Sequence, residues 1–248
     1  MNGRTHRPPA AGAPRPALAT NPRIPLLDCD HVPGQATGRT APGSLLLLHG
    51  FAEDKTALRP LGAALCPRGS TAVHPSLRGH GASPRPAWGY SPLDFAADLH
   101  RIADTFPRPL HVVGYSFGAL VAAVTAVALG PDRIASVAVL DQSFEAVPER
   151  YEGGPWAEAS HLKWNFDHTH YLDMLCTARI PVLSVLARAS PVVPEPEKKR
   201  MADRRGEFFS CTVAEGDHRS FLRESAVTSL ADFYGRHFPV TTFTEAIS

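Results

Sequence analysis

The sequence predicts an α/β fold, a mostly parallel sheet with helices on both faces, and two patterns predict it. Short continuous apolar runs recur from Ser44 onward, as strands buried on both faces require. They alternate with longer segments whose apolar residues follow a helical period, and repeated βα units of this kind lay parallel strands side by side. The chain has 248 residues, 44% of them apolar and 20% charged, enough to bury a sizeable core. Lys and Arg total 25 against 24 Asp and Glu, a net charge of +1, which gives no basis for nucleic acid or an anionic membrane as partner.

The elements follow in order. The first 22 residues hold Pro8, Pro9, Pro14, Pro16 and Pro22 and almost no large apolar side chains, so they are expected to form a disordered tail. The tail has positive charge but no apolar core of the length a secretory signal needs. A single domain is expected over 23–248, with at most one or two short edge strands between Ile24 and Pro42. Leu45–Leu48 reads as a strand, Thr56–Cys66 as a helix stopped by Pro67, and Thr71–His74 as a strand. Asp94–Phe106 reads as an amphipathic helix and Leu110–Val113 as a strand. The apolar helix after Ser116 runs to Leu129 and is closed by Gly130-Pro131. At this length it falls short of the ~20 residues that span a bilayer. Ile134–Leu140, Pro181–Leu186 and Phe208–Val213 are further strands, with helices near Glu195–Arg205 and Phe221–His237. Residues 142–178 break the rhythm and carry six aromatics, Phe144, Tyr151, Trp156, Trp164, Phe166 and Tyr171. They read as a lid, with Trp156, Trp164 and Phe166 as candidate substrate-binding residues. Cys29, Cys66, Cys176 and Cys211 are far apart and form no CxxC pair, the pattern of reduced thiols in a cytoplasmic protein.

Gly114-Tyr115-Ser116-Phe117-Gly118 carries the strongest chemical signal, a G-x-S-x-G between a predicted strand and a predicted helix. A serine on so sharp a turn is lifted clear of the sheet, and side chains at the glycine positions would strike neighbouring backbone. The N–H groups that follow lie at a helix N-terminus and favour developing negative charge.

With this turn in place the chain resembles the α/β-hydrolases from about Ser44 to Phe238, with four landmarks in the family's order. His49-Gly50-Phe51 resembles the oxyanion loop, which would make the Phe51 and Phe117 N–H groups the oxyanion hole. Arg78-Gly79-His80-Gly81-Ala82-Ser83 resembles the turn after the next strand. Ser116 matches the nucleophile, and Gly216-Asp217-His218 the loop of the catalytic histidine, whose imidazole suits general-base work near neutral pH. His49 and His80 read as structural, one under the oxyanion loop and one bonded to nearby turn backbone. The family's turn before Arg78 usually holds an aspartate where this chain has Ser76, so a local ion pair is expected to be absent.

The acid departs from the common pattern. After the family's seventh strand an aspartate is usual, but Ala187-Arg188-Ala189-Ser190-Pro191 has Ser190 there, which can hydrogen-bond but supplies no charge. Asp141, ending the family's sixth strand, is the substitute. The resemblance narrows to small serine esterases with the acid after strand six and a serine at the strand-seven position. Glu195 and Glu197 remain alternatives, and Asp217 adjoins His218 where neighbours usually point apart.

The expected activity is a cofactor-independent serine hydrolysis of an ester, thioester or lactone. A lyase, cyclase or acyltransferase of a specialised biosynthetic pathway is the alternative, and a ligand-binding module that kept the fold is the third reading. The expected partner is a small-molecule acyl substrate with an apolar or aromatic acyl group, free or carried on a carrier protein. There is no P-loop and no dinucleotide G-x-G-x-x-G, so no cofactor is expected. Asp167-His168-Thr169-His170 with Asp173 superficially resembles a metal cluster but reads as polar lid surface. The basic face Glu197-Lys198-Lys199-Arg200 reads as solvated.

Overall fold

A computed structural model describes residues 26–37, 41, 43–106, 110–145, 164 and 167–238. The predicted tail and most of the predicted lid, including Trp156 and Phe166, lie outside the described residues.

Seven strands form one sheet: β1 (Cys29–Pro33), β2 (Ser44–Leu48), β3 (Thr71–Pro75), β4 (Leu110–Tyr115), β5 (Ile134–Leu140), β6 (Val182–Ala189) and β7 (Phe209–Asp217). Their order across the sheet is β1-β3-β2-β4-β5-β6-β7, and every neighbouring pair is parallel except β1 with β3. The strands that the resemblance numbers six and seven are β5 and β6 here. β1 is the edge strand the turn-rich region was expected to hold.

The helices are α1 (Arg59–Leu65), α2 (Pro92–Ala103), α3 (Phe117–Leu129), α4 (Thr169–Thr177), α5 (Glu195–Asp203) and α6 (Ser225–His237). The continuous apolar strand runs divide cleanly between two cores because successive side chains point to opposite faces. Leu46, Leu48, Val112, Val137 and Val139 join the core under α2, α3 and α4. Leu45, Leu47, Val113, Ala138 and Leu140 join the one under α1 and α6. None of the described helices is long and apolar enough to cross a membrane.

Both ends of the predicted lid belong to the body of the fold. Asp141 to Phe144 are buried at the end of β5, and α4 lays the fully buried Leu172 and Leu175 into the core beside α3. Asp167 accepts the Thr169 N–H at 2.7 Å and so starts α4. Among the described residues no group of three His, Cys, Asp or Glu is arranged to hold a metal ion. The four cysteines are free, and burial pushes the Cys29, Cys66 and Cys211 thiols up to about 11.

Three buried histidines make the fold acid-sensitive. Burial pushes His49, His74 and His111 down from 6.5 to about 4. Between those values the unfolded chain binds protons that the folded chain refuses, so stability is full above 6.5 and is lost as pH falls toward 4. Urea midpoints should drop steadily across this window, and midpoints unchanged down to pH 4 would contradict the neutral burial of these rings.

Candidate active site

The turn between β4 and α3 is built on close backbone approach. A Cβ on Gly114 would lie 2.2 Å from the Gly118 carbonyl oxygen, and one on Gly118 would lie 2.3 Å from the Leu48 oxygen. Only glycines let the first turn of α3 cross the ends of β4 and β2 this tightly. Ser116 between them has φ 52° and ψ −126°, a left-handed φ that a non-glycine residue holds only when its surroundings impose it. Its N–H is fixed to the Leu140 carbonyl at 2.8 Å. Phe117 is the first residue of α3, so its N–H has no acceptor within the helix.

His218 follows β7 directly and reaches back over this turn. Its Nε2 lies 3.2 Å from Ser116 Oγ, and its Nδ1 lies 2.6 Å from Asp141 Oδ2. An ionised carboxylate only accepts, so Nδ1 carries the proton and Nε2 is left to accept from the serine hydroxyl. Asp141 is fully buried and also has a positive φ, 47°. Its N–H donates to Val185 O at 2.7 Å and its Oδ1 accepts the Ala187 N–H at 2.9 Å, so β6 grips it on both sides. The second carboxylate oxygen is thereby aimed at the imidazole. Tyr115 completes the hold on His218: its hydroxyl donates to the His218 carbonyl at 2.8 Å, and the two rings lie 4.9 Å apart. Burial pushes the Tyr115 phenol up, keeping it a neutral donor.

The remaining predicted residues fall into place around this chain of contacts. Ser190 does not reach the imidazole. Its Oγ accepts the Val192 and Val193 N–H groups at 3.1 and 3.2 Å, which shapes the turn into α5. Glu195 is exposed and pairs with Lys198, and Glu197 is occupied by other groups. Asp217 Oδ1 accepts the Arg219 and Ser220 N–H groups, so it caps its own turn. His49 is structural: Nδ1 donates to Gly50 O at 2.7 Å and Nε2 accepts the Leu77 N–H at 2.9 Å. His80 donates from Nδ1 to Arg78 O at 3.0 Å and stacks on Phe117. Arg78 finds its counter-charge elsewhere than the turn. Asp98 of α2 takes it with two contacts, Nε to Oδ2 at 2.6 Å and Nη2 to Oδ1 at 2.7 Å.

Sequence reasoning missed Glu53, in the loop after β2, and Tyr115. The Gly50 N–H donates to Glu53 Oε2 at 2.9 Å while the Glu53 N–H returns to Gly50 O at 3.3 Å, a clamp that sets the path of Phe51. The signals were a carboxylate three residues beyond Gly50 and a tyrosine inside the serine motif.

Of the three predicted substrate-binding residues, Trp164 alone is among the described residues, and it joins the core. It is buried, its ring packs 4.9 Å from Phe117 and 5.3 Å from Phe95, and its indole N–H donates to Tyr90 O at 2.8 Å. It therefore supports the helix turn that carries the Phe117 N–H.

Residues 43–156 match the family model for the alpha/beta hydrolase fold. The chain is 36% identical over 98 residues to the 2-(acetamidomethylene)succinate hydrolase of Mesorhizobium japonicum. That stretch is 39% of this chain and 34% of the relative, so it spans about a third of that protein's length. Among solved structures, a thermophilic esterase from Thermogutta terrifontis superposes with a TM-score of 0.67 at 18% identity, covering 85% of this chain and 93% of that one. The thioesterase domain from the curacin biosynthetic pathway gives 0.62 at 19% identity, covering 81% and 92%. Similarity this low in sequence establishes a shared fold. The chain has the α/β-hydrolase fold, and its residues 43–156 are similar in sequence to that family.

Trp164→Ala should cost about 3–5 kcal/mol of stability, the usual result of emptying a large buried aromatic site. Thermal unfolding of the variant measures it, and an unchanged melting temperature would return Trp164 to the surface.

Proposed function

We propose that this chain is a cofactor-independent serine hydrolase that cleaves an ester, thioester or lactone through an acyl-enzyme. One observation carries the reading: the unbroken line from Asp141 Oδ2 through His218 to Ser116 Oγ, with the serine on a strained turn at a helix N-terminus. Support for hydrolysis comes also from the partial match to a curated hydrolase, and the fold is shared with esterases and a thioesterase.

In this reading Ser116 Oγ bonds to the substrate carbonyl carbon while its proton passes to His218 Nε2. The buried Asp141 carboxylate stabilises the imidazolium and holds its tautomer. The Phe117 and Phe51 N–H groups stabilise the oxyanion. As the tetrahedral adduct collapses, the bond to the leaving group breaks and His218 returns the proton to it. Water then attacks the acyl-enzyme, giving its proton to His218, and the acid leaves as Ser116 regains a proton. The rings beside the serine are aromatic: Phe51, His80, Phe117 and Trp164 form one cluster, with Phe51 only partly buried. This favours an apolar or aromatic acyl group, free or carrier-bound, over a short polar one.

The test is the ranking of two variants in turnover of an activated aryl ester. Asp141→Asn removes the charge and can favour the wrong tautomer, and a loss of about 10⁴ in kcat is expected by analogy with the serine-protease aspartate. Ser190→Ala removes only hydrogen bonds that shape a turn, so a loss of no more than about tenfold is expected. Near-normal turnover in a folded Asp141→Asn variant would overturn the assignment. One oxygen from heavy-oxygen water should appear in the acid product, and its absence would replace hydrolysis by elimination or transfer.

A further inference from the structure

Glu197 is a buried carboxylate that the proposed chemistry leaves unused. It projects from α5, is 1% exposed, and forms no ion pair within 4 Å among the described residues. Instead Oε1 accepts the Phe144 N–H at 2.7 Å and the Glu145 N–H at 3.3 Å, and Oε2 accepts the Ser143 hydroxyl. All three donors belong to the segment that leaves Asp141. A carboxylate buried this deeply is costly unless its oxygens are satisfied, and here they are satisfied by one short segment, through two backbone N–H groups and a serine hydroxyl.

The surrounding contacts give that attachment direction. Arg200, one turn along α5, makes a two-point pair with Glu145, Nε to Oε1 at 2.7 Å and Nη2 to Oε2 at 2.5 Å. Lys198 Nζ donates to Arg188 O at 2.9 Å, at the end of β6. Thus α5 ties together the exits of β5 and β6, the two strands between which Asp141 is gripped through Val185 and Ala187. Asp141 holds a positive φ, and the chain after it must be pinned for that conformation to persist.

We infer that Glu197 is a positioning residue for the acid limb of the site: it fixes residues 143–145 so that the Asp141 carboxylate meets His218 Nδ1. This rests on the reading of Asp141 as the triad acid. The role explains why a carboxylate is kept where an apolar residue would pack without desolvation cost.

The test joins a spectroscopic readout with a kinetic one. The proton that His218 Nδ1 shares with Asp141 should give a low-field NMR resonance, assigned by its loss in His218→Gln. Glu197→Ala should broaden or shift that resonance, while Glu197→Gln, which keeps an oxygen for the two N–H groups, should retain it. In aryl-ester turnover Glu197→Ala should lower kcat roughly a hundredfold with KM nearly unchanged, the scale of an ångström's misplacement. Glu197→Gln should recover all but about tenfold of the loss. In an Asp141→Asn background the Glu197→Ala loss should largely vanish, whereas a general structural role would leave the losses additive. If Glu197→Ala fails to fold, Glu197→Asp, with its oxygens withdrawn by one methylene, should show the same shift in weaker form. An unperturbed resonance and normal kcat in the Ala or Asp variant overturn the inference and leave the proposed function standing. A wild-type protein without the resonance would remove the Asp141–His218 pair, and with it the reading on which the inference rests.

Discussion

The chain presents the Ser116 hydroxyl by reversing from strand to helix within a single residue, and most of the site follows from that reversal. The turn requires Gly118 against the carbonyls of Leu48 and His49, so the end of β2 must lie directly under α3. This brings the loop after β2 beside the serine, with His49 neutral and locked between Gly50 and Leu77. The positive φ at Ser116 costs on the order of 1–3 kcal/mol, as does the one at Asp141, and rigid surroundings must sustain both. The two-sided core provides them, with α3 buried on every side from Phe117 to Ala126.

Sheet order does the rest. Ser116 follows β4, Asp141 follows β5, and His218 follows β7, so the three groups leave the same carboxyl edge of a parallel sheet. Ligands in such sheets bind at that edge. The acid after β5 stands next to the nucleophile strand rather than beyond it. The structure compensates by gripping Asp141 from β6 and by tethering the segment after it to α5. The histidines divide accordingly. His49, His74 and His111 are buried and neutral, while the His218 side chain is 21% exposed, between buried Asp141 and solvent.

The sheet and the serine turn were legible because local chemistry dictates them: unbroken apolar runs for two-sided burial, and glycines two residues either side of Ser116. Asp141 was named from the resemblance, because Ser190 stands where the family usually has its acid; the structure sets Asp141 2.6 Å from His218 Nδ1 and turns Ser190 Oγ to its own loop. What the sequence hid is contact between distant segments. Glu197 looked like one charge on a basic, solvated face, yet it is buried through partners 52 to 54 residues away. Asp98 likewise supplies, from α2 and 20 residues beyond Arg78, the counter-charge that Ser76 cannot. Trp164 was assigned to a lid because its neighbours are aromatic and polar, whereas its place is decided by Phe95, Phe117 and the Tyr90 carbonyl. Periodicity carries no information about such pairings.

The central claim is that Ser116 is activated by His218. Reaction with a fluorophosphonate, followed by mass-spectrometric mapping of the adduct, tests it most directly, because the reagent reports an activated serine without any knowledge of the substrate. The account predicts a single adduct on Ser116, formed at least a hundredfold more slowly in a folded His218→Gln variant, since a general base contributes roughly 10²–10⁴ in rate. An unlabelled wild-type protein, an adduct on another residue, or equal labelling in His218→Gln would contradict it.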